Sequence, residues 1–332
     1  MENRAVPVIE TVGLKKYFKT HHGMLHAVDG IDLRIMAGET LGVVGESGCG
    51  KSTLGSTIIR LYEPDGGDIL FQGKSILGLK GKAFKEMHTK MAMIFQDPYS
   101  SLNPRMTVLD QIADPMRVNH TFRTKAERYR RAAALMDIVG LAKRVAGSYP
   151  HELDGGRRQR IGVARALALG PEFIVCDEPV SALDVSIQAQ ILNLLMDLQD
   201  EFKLAYLFIT HDMSVVRHIS NNIMVTYLGQ CVEYADHKRI FENPCHPYTR
   251  ALLSAIPEPT LEARSKEIQI LKGEIGNAVD PKPGCRFAGR CPHCTAACTQ
   301  ADIPTVEVEP GHTVRCLLYG HEAKGEASGA TQ

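Results

Sequence analysis

The sequence predicts an α/β fold in which a mostly parallel sheet is covered by helices on both faces. Apolar runs at residues 40–44, 173–176 and 204–210 have the length of buried strands, and each ends at polar or glycine-rich residues. Residues 98–150 have helical spacing instead, with arginine and lysine on the exposed face, and residues 160–169 are predicted to form a further helix. Alternating strands and helices of this kind are typical of parallel sheets.

The remaining predicted strands complete this arrangement at its two ends. Residues 8–18 and 27–34 alternate enough to be strands, and we expect them to form an antiparallel β subdomain at the N-terminus. Residues 69–71 follow a Gly-Gly-Asp turn, and residues 91–95 form a further apolar run. Residues 223–233 are interpreted as a hairpin.

The loop after the first buried strand fits the phosphate-binding pattern of glycine, four residues and then Gly-Lys-Ser/Thr. Glycines let the backbone curl so that successive N–H groups point at phosphate oxygens, and the following helix adds its positive dipole end. We expect Lys51 to reach the β- and γ-phosphates and Ser52 to bind Mg²⁺. A merely structural glycine-rich turn is the alternative. The predicted nucleotide-binding residues are Gly45, Glu46, Ser47, Gly48, Cys49, Gly50, Lys51, Ser52 and Thr53.

Polar side chains that could hydrolyse a nucleotide follow three other predicted strands. Asp177 fits a ligand of Mg²⁺, because the end of a dry strand holds a carboxylate rigidly, and Glu178 beside it fits the general base. Gln96 can contact Mg²⁺ or the attacking water through its neutral amide, and His211 can bond the γ-phosphate. A helix-cap pair is the alternative for the two adjacent carboxylates.

Composition limits the classes of partner and compartment. The 332 residues contain 38 Lys+Arg and 38 Asp+Glu, so no net charge attracts the chain to nucleic acid. No apolar run approaches the roughly 18 residues of a membrane span, and residues 1–10 do not resemble a signal peptide. We therefore expect a cytosolic protein without disulfides that contacts a membrane only through other chains.

The order of these pieces over residues 8–233 resembles the ATP-binding cassette ATPases. The resemblance implies a P-loop NTPase fold with ATP and Mg²⁺ as ligands, an ATPase domain over residues 1–243 and a helical insertion at about 97–157. It also implies that residues 45–53 are the Walker A loop, Gln96 the Q-loop, Asp177 and Glu178 the Walker B pair, and His211 the switch histidine.

The resemblance assigns further nucleotide contacts. Phe18 or its neighbour Tyr17 matches the aromatic residue that stacks on adenine. Residues 153–157, with Asp154, Gly155 and Gly156, match the family's signature motif, and residues 181–184 match the D-loop. In this family two cassettes close head to tail, so that each ATP lies between one chain's Walker motifs and the other chain's signature.

The signature motif departs from the family pattern. It usually reads Leu-Ser-Gly-Gly-Gln, whereas Asp154 and Arg157 stand at the second and fifth positions here. The usual serine donates a hydrogen bond to the γ-phosphate, and an ionised Asp154 would bring a like charge to it. We hypothesise that the ATP site on the partner's P-loop is weak, while this chain's own site is intact. The alternative is that Arg157 or Arg158 accommodates Asp154.

Residues 98–105 and 246–253 resemble the peptide and nickel importer branch of the family. That branch implies a heterodimer with a sister ATPase, two membrane permeases at the cytoplasmic face and an external solute-binding protein. The solute stays open among peptides, nickel chelates and related compounds. The alternatives are a soluble cassette ATPase of DNA repair or translation, and an exporter subunit.

A cysteine-rich region, expected at residues 244–321 and followed by a disordered tail at 322–332, resembles the C-terminal region of the same branch. Cys285, Cys291, Cys298 and Cys316 could together hold a 4Fe-4S cluster, and Cys294 is the spare. A zinc site with four sulfur ligands and a set of reduced structural thiols are the alternatives.

Overall fold

The structure, a computed structural model, describes residues 6–97, 99–256 and 276–319. The strands in these ranges are β1 (Ile9–Thr20), β2 (Gly23–Ile35), β3 (Thr40–Val44), β4 (Gly66–Phe71), β5 (Lys74–Ser75), β6 (Met91–Ile94), β7 (Phe173–Asp177), β8 (Ala205–Thr210), β9 (Asn222–Tyr227), β10 (Gln230–Asp236), β11 (Val306–Glu309) and β12 (His312–Val314). The α-helices are α1 (Lys51–Ile58), α2 (Gly81–Thr89), α3 (Val108–Val118), α4 (Lys125–Ile138), α5 (Gly155–Ala166), α6 (Val185–Phe202), α7 (Met213–Ile219), α8 (His237–Glu242) and α9 (Pro247–Ser254).

A four-stranded antiparallel sheet of order β2-β1-β4-β5 forms the N-terminal subdomain. Ile9 pairs with Ile35 on one side and with Phe71 on the other. Ile9 and Ile35 are fully buried, because alternate side chains of β1 and β2 face the interior. The predicted antiparallel subdomain is therefore confirmed.

An eight-stranded sheet of order β11-β12-β10-β9-β3-β8-β7-β6 forms the centre of the protein. The five strands from β9 to β6 are parallel to one another, and β10, β12 and β11 add antiparallel pairs at one edge. The prediction of a mostly parallel core sheet is confirmed. The predicted hairpin at residues 223–233 corresponds to β9 and β10.

Hydrophobic cores lie on both faces of this sheet. In β7, Ile174 and Cys176 belong to one core and Phe173 and Val175 to the other, as the twofold period of a strand requires. One core is completed by α3 to α6 of the helical region, and the other by α1 and the antiparallel sheet. Because both faces are covered, every residue of β3, β7 and β8 is buried.

The helical insertion consists of α3, α4 and α5 between β6 and β7. Thr124 and Glu127 form a reciprocal capping box that starts α4. The helix expected at residues 160–169 instead begins at Gly155, because Asp154 caps it by accepting a hydrogen bond from the backbone N–H of Arg157. Two glycines at the start of this helix obscured its true beginning in the sequence.

The C-terminal region extends the core sheet. Residues 306–314, which the sequence did not indicate as strands, form the hairpin of β11 and β12, and β12 pairs with β10. The boundary expected at residue 244 stays a prediction. The tail expected at residues 322–332 lies outside the described residues. No helix in the described ranges combines the length and apolar content needed to cross a membrane.

A buried carboxylate joins the C-terminal hairpin to the core. Glu233 of β10 is fully buried and accepts hydrogen bonds from the backbone N–H groups of Cys245 (2.7 Å) and His246 (2.8 Å). Nε2 of His312 in β12, also fully buried, donates a third at 2.8 Å. Three donors satisfy a charge that would otherwise be costly to bury.

We predict that His312→Ala lowers the free energy of unfolding by about 3 kcal/mol, because the Glu233 carboxylate stays buried without its side-chain donor. Urea unfolding of the full chain at neutral pH measures the change. The matched control is Glu309→Gln on the same hairpin, where the Glu309 side chain is 50% exposed and the expected change is under about 0.5 kcal/mol. An unchanged urea midpoint for His312→Ala would contradict the prediction.

Candidate functional site

The loop between β3 and α1 has a shape that only glycines allow. Gly48 and Gly50 have φ angles of 78° and 97°, which favour glycine. A Cβ atom on Gly50 would lie 1.9 Å from the carbonyl oxygen of Ala27, and one on Gly45 would lie 2.2 Å from that of Thr226. The loop is therefore packed tightly against two neighbouring segments, and its glycines are required by contact as well as by curvature.

Lys51 spans this loop from the first turn of α1. Its Nζ donates to the carbonyl oxygens of Gly45 (2.8 Å) and Glu46 (2.9 Å), and the residue is only 5% exposed. Cys49 turns inward instead, with its Sγ 3.3 Å from Oγ1 of Thr226. Cys49 therefore offers phosphate its backbone alone. Ser47 is exposed at the loop surface, and Thr53 lies half-buried in α1.

Ser52 and Asp177 meet where Mg²⁺ is expected. Oγ of Ser52 donates to Oδ1 of Asp177 at 2.8 Å, across the space between α1 and the end of β7. Burial, together with the neighbouring charge of Glu178, raises the pKa of the Asp177 carboxyl, and the hydrogen bond from Ser52 opposes that rise. A hydroxyl and a carboxylate are the hard oxygen donors that Mg²⁺ prefers, so this pair fits the ion.

Glu178 lies between the other two predicted catalytic side chains. Its Oε2 accepts a hydrogen bond from Nε2 of Gln96 at 2.9 Å, and its Oε1 lies 3.3 Å from Nδ1 of His211. The Glu178 backbone has φ 44°, an unusual value for a residue with a Cβ, and its N–H donates to Ile209 O at 2.9 Å. Gln96, Glu178 and His211 thus form one contiguous polar group.

The two candidate adenine-stacking residues have different neighbours. The Tyr17 ring stacks on His26 with centroids 4.0 Å apart, and its hydroxyl donates to Oδ1 of Asp29 at 2.5 Å. Phe18 makes an edge contact with Tyr62, with centroids 5.4 Å apart. Both side chains are half-buried. The Tyr17 hydroxyl is engaged within the protein, whereas the Phe18 ring contacts the Tyr62 ring and the Lys16 ammonium.

The signature segment lies at the start of α5 in the helical insertion. Oδ1 of Asp154 accepts from the backbone N–H of Arg157 at 2.8 Å, and its Oδ2 lies 3.5 Å from Nε of Arg157. A Cβ atom on Gly156 would lie 2.7 Å from Ile187, and one on Gly155 would lie 3.1 Å from Leu183. The Asp154 carboxylate is therefore both a helix cap and half of an exposed ion pair.

Four cysteines of the C-terminal region line one cavity of about 280 Å³: Cys285, Cys291, Cys298 and Cys316. Cys294 is exposed and does not line it. Burial, together with a smaller effect of the nearby thiols, raises the pKa of the Cys285 thiol to about 11. Within the described ranges, no three of these sulfurs all lie within 4.8 Å of one another.

Sequence reasoning missed two residues that contact the loop from far along the chain. The hydroxyl of Tyr248 accepts from the backbone N–H of Glu46 at 2.8 Å. The guanidinium of Arg290 donates to both carboxylate oxygens of Glu46, at 2.6 and 3.1 Å. Neither contact had a local signal, because about 200 residues separate the partners in sequence.

Comparisons with known protein families match two separate parts of the chain. A family model described as ABC transporter matches residues 28–181, and one described as the C-terminal region of oligopeptide/dipeptide transporters matches residues 232–298. The solved dimer of an ATP-binding cassette in a post-hydrolysis state with ADP and Pi has a TM-score of 0.63 and 28% identity. The match covers 69% of this chain and 98% of that one.

Two relatives match nearly the whole chain. The oligopeptide transport ATP-binding protein OppF of Salmonella typhimurium is 48% identical over 328 residues, which cover 96% of this chain and 97% of that protein. The oligopeptide transport ATP-binding protein AppF of Bacillus subtilis is 48% identical over 321 residues, covering 94% and 97%. Together with the phosphate loop and the Gln96–Glu178–His211 group, these matches show that the protein belongs to the ABC transporter family as one of its ATPases.

Proposed function

We propose that the protein is the ATP-hydrolysing motor subunit of a membrane importer for peptides, either dipeptides or oligopeptides. The observation that carries this proposal is the pair of relatives named for oligopeptide transport, each matched over more than nine-tenths of both chains. The match of residues 232–298 to the oligopeptide/dipeptide transporter C-terminal region supports it independently of the ATPase core.

The site geometry supports hydrolysis by activation of water. Ser52 and Asp177 would hold Mg²⁺, which when bound neutralises charge on the β- and γ-phosphate oxygens. Glu178 accepts the proton of the attacking water as oxygen bonds to the γ-phosphorus and the bond to the ADP oxygen breaks. Gln96 and His211 contact the carboxylate from its two sides, and His211 would also bond the γ-phosphate.

The partners follow from an ATPase site that is completed by a second chain. A sister ATPase would pair head to tail with this one, and the two would dock on two permeases at the cytoplasmic face of the membrane. A surface groove of about 540 Å³ lies directly beside the Gln96 loop, lined by Met91, Met93, Phe95 and Pro115. Such a groove would link a permease to the catalytic group. An external solute-binding protein would deliver the peptide.

Asp154 makes the two ATP sites of such a heterodimer unequal. Its carboxylate would face the γ-phosphate that the partner holds, in place of the usual serine hydroxyl. The ion pair with Arg157 supports the milder interpretation, in which the charge is compensated within the motif. The two interpretations differ in what removal of the carboxylate does to turnover.

The cysteine-lined cavity would hold a 4Fe-4S cluster. The four thiols line one cavity. Four cysteine thiolates are the ligand set of a 4Fe-4S cluster, in which each cysteine binds a different iron. Zinc and reduced thiols are the other outcomes of the test below.

An importer of nickel or another solute is the second candidate within the same branch. A soluble ATPase of DNA repair or translation is the candidate from another class. The balanced charge of 38 basic and 38 acidic residues supports no nucleic-acid surface, and the relatives named above are transport proteins.

Transport in proteoliposomes tests the proposed function. We expect the chain to co-purify with two polytopic membrane proteins, and peptides with the binding protein to stimulate ATP turnover several-fold. Glu178→Gln lowers turnover at least about 100-fold with ATP binding retained, because only the general base is lost. Stimulation by a nickel chelate and not by peptides, or failure to co-purify with permeases, would contradict the proposal.

Asp154→Ser tests the unequal sites. If the carboxylate repels the partner's γ-phosphate, ATP turnover of the assembled complex rises by about tenfold, the effect of one restored hydrogen bond to a charged group. Arg130→Gln, an exposed position on α4 away from the signature segment, serves as a control that leaves turnover unchanged. No gain with Asp154→Ser would refute the hypothesis and favour compensation by Arg157.

Anaerobic purification tests the cluster. We expect broad absorbance near 400 nm and about four iron atoms per chain, both lost in Cys291→Ser and retained in Cys294→Ser. Zinc at one atom per chain without that absorbance would establish a zinc site instead. Absence of both metals would leave only reduced thiols.

A further inference from the structure

The C-terminal segment 285–291 lies beside the phosphate loop and is held there by two arginines. Arg286 and Arg290 both point toward the core, and their side chains are only 6% and 9% exposed. Buried guanidinium groups are costly unless they are paired, so the partners of these two side chains define what the segment does.

Arg286 fixes the position of the segment. It donates to the Asp29 carboxylate and to the carbonyl oxygen of Leu228, in the turn between β9 and β10. The same turn reaches the phosphate loop, since the N–H of Gly229 donates to Cys49 O at 2.9 Å. Segment 285–291 is thereby held at a fixed position beside the loop.

Arg290 pairs with the phosphate loop itself. Its two terminal nitrogens donate to the two carboxylate oxygens of Glu46, a bidentate contact with Glu46 only 24% exposed. Because Glu46 belongs to the loop that holds the triphosphate, its carboxylate is a negative charge on an anion-binding surface. The pairing with Arg290 cancels that charge.

We infer that Arg290 is a positioning residue of the ATP site: it neutralises Glu46 and fixes the first turn of the phosphate loop, so that the cysteine-rich region is part of the nucleotide-binding site. Arg290 precedes Cys291, which lines the cysteine cavity. A rearrangement of the cysteine cavity that moves Arg290 would therefore change the affinity for ATP. The inference rests on the ATPase assignment and not on the identity of the solute.

Binding of a fluorescent ATP analogue with Mg²⁺ to the purified full-length chain tests this inference. We expect Arg290→Gln to raise Kd about tenfold, because it leaves Glu46 charged and unpaired beside the phosphates. Glu46→Gln should change Kd less than twofold. Glu46→Gln combined with Arg290→Gln should return Kd to within about threefold of wild type, since both charges are gone. The deficit of Arg290→Gln should also shrink as salt concentration rises.

The matched control is Arg239→Gln. Arg239 also tethers the C-terminal region, since it lies 3.7 Å from Glu309 and donates to the carbonyl oxygen of Pro310, but these partners lie outside the phosphate loop. The Kd of the Arg239→Gln variant for the ATP analogue should stay within about twofold of the wild-type value. Three results would each overturn the inference. They are an equal loss of affinity in Arg239→Gln, a wild-type Kd in Arg290→Gln, and a double variant that binds as weakly as Arg290→Gln. If Arg290→Gln does not fold, Arg290→Lys, which keeps the charge but loses one of the two contacts, should raise Kd about threefold, and a Kd equal to that of wild type in this variant would overturn the inference.

Discussion

The ATP site exists because parallel strands end at one edge of a sheet. The phosphate loop, Gln96, Asp177 and His211 follow β3, β6, β7 and β8, which pair side by side in the order β3-β8-β7-β6. Parallel pairing aligns the carboxyl ends of these strands, so that Ser52 and Asp177, 125 positions apart in the chain, come within hydrogen-bonding distance. The buried apolar strands hold them there, since both faces of the sheet are packed.

The alignment of the strand ends places the Glu178 carboxylate between Gln96 and His211. The Glu178 side chain is largely withdrawn from water, with 12% exposure, while that of His211 is 57% exposed. This exposure suits the proposed role of Glu178 as general base, because the carboxylate is shielded on the protein side and open toward the place where a nucleotide and water would lie. The left-handed backbone at Glu178 is a conformation that the surrounding strands must hold in place.

The C-terminal region is joined to the ATPase core by buried charged contacts as well as by the apolar packing of Phe287 against Tyr227 and Tyr248. Glu233 gathers three donors from β12 and the start of α9, and Arg290 reaches the phosphate loop. Buried ionic contacts of this kind require specific partners, because an unpaired charge in the interior is costly. They therefore fix where the region sits as well as how firmly it is held. The strand hairpin and these contacts make the region continuous with the ATPase.

Local signals in the sequence were enough to identify the phosphate loop, the Asp177–Glu178 pair and the alternation of strands and helices. Glycine spacing, apolar runs and polar residues at strand ends are properties of neighbouring residues, and the sequence displays them directly. The start of α5 was misjudged, because the Asp154 cap is visible only as a hydrogen bond to Arg157. The hairpin β11–β12 and the Glu46–Arg290 pair depended on contacts between distant residues. Only the tertiary structure decides these long-range contacts, because the sequence around a charged side chain does not indicate which distant residue neutralises it.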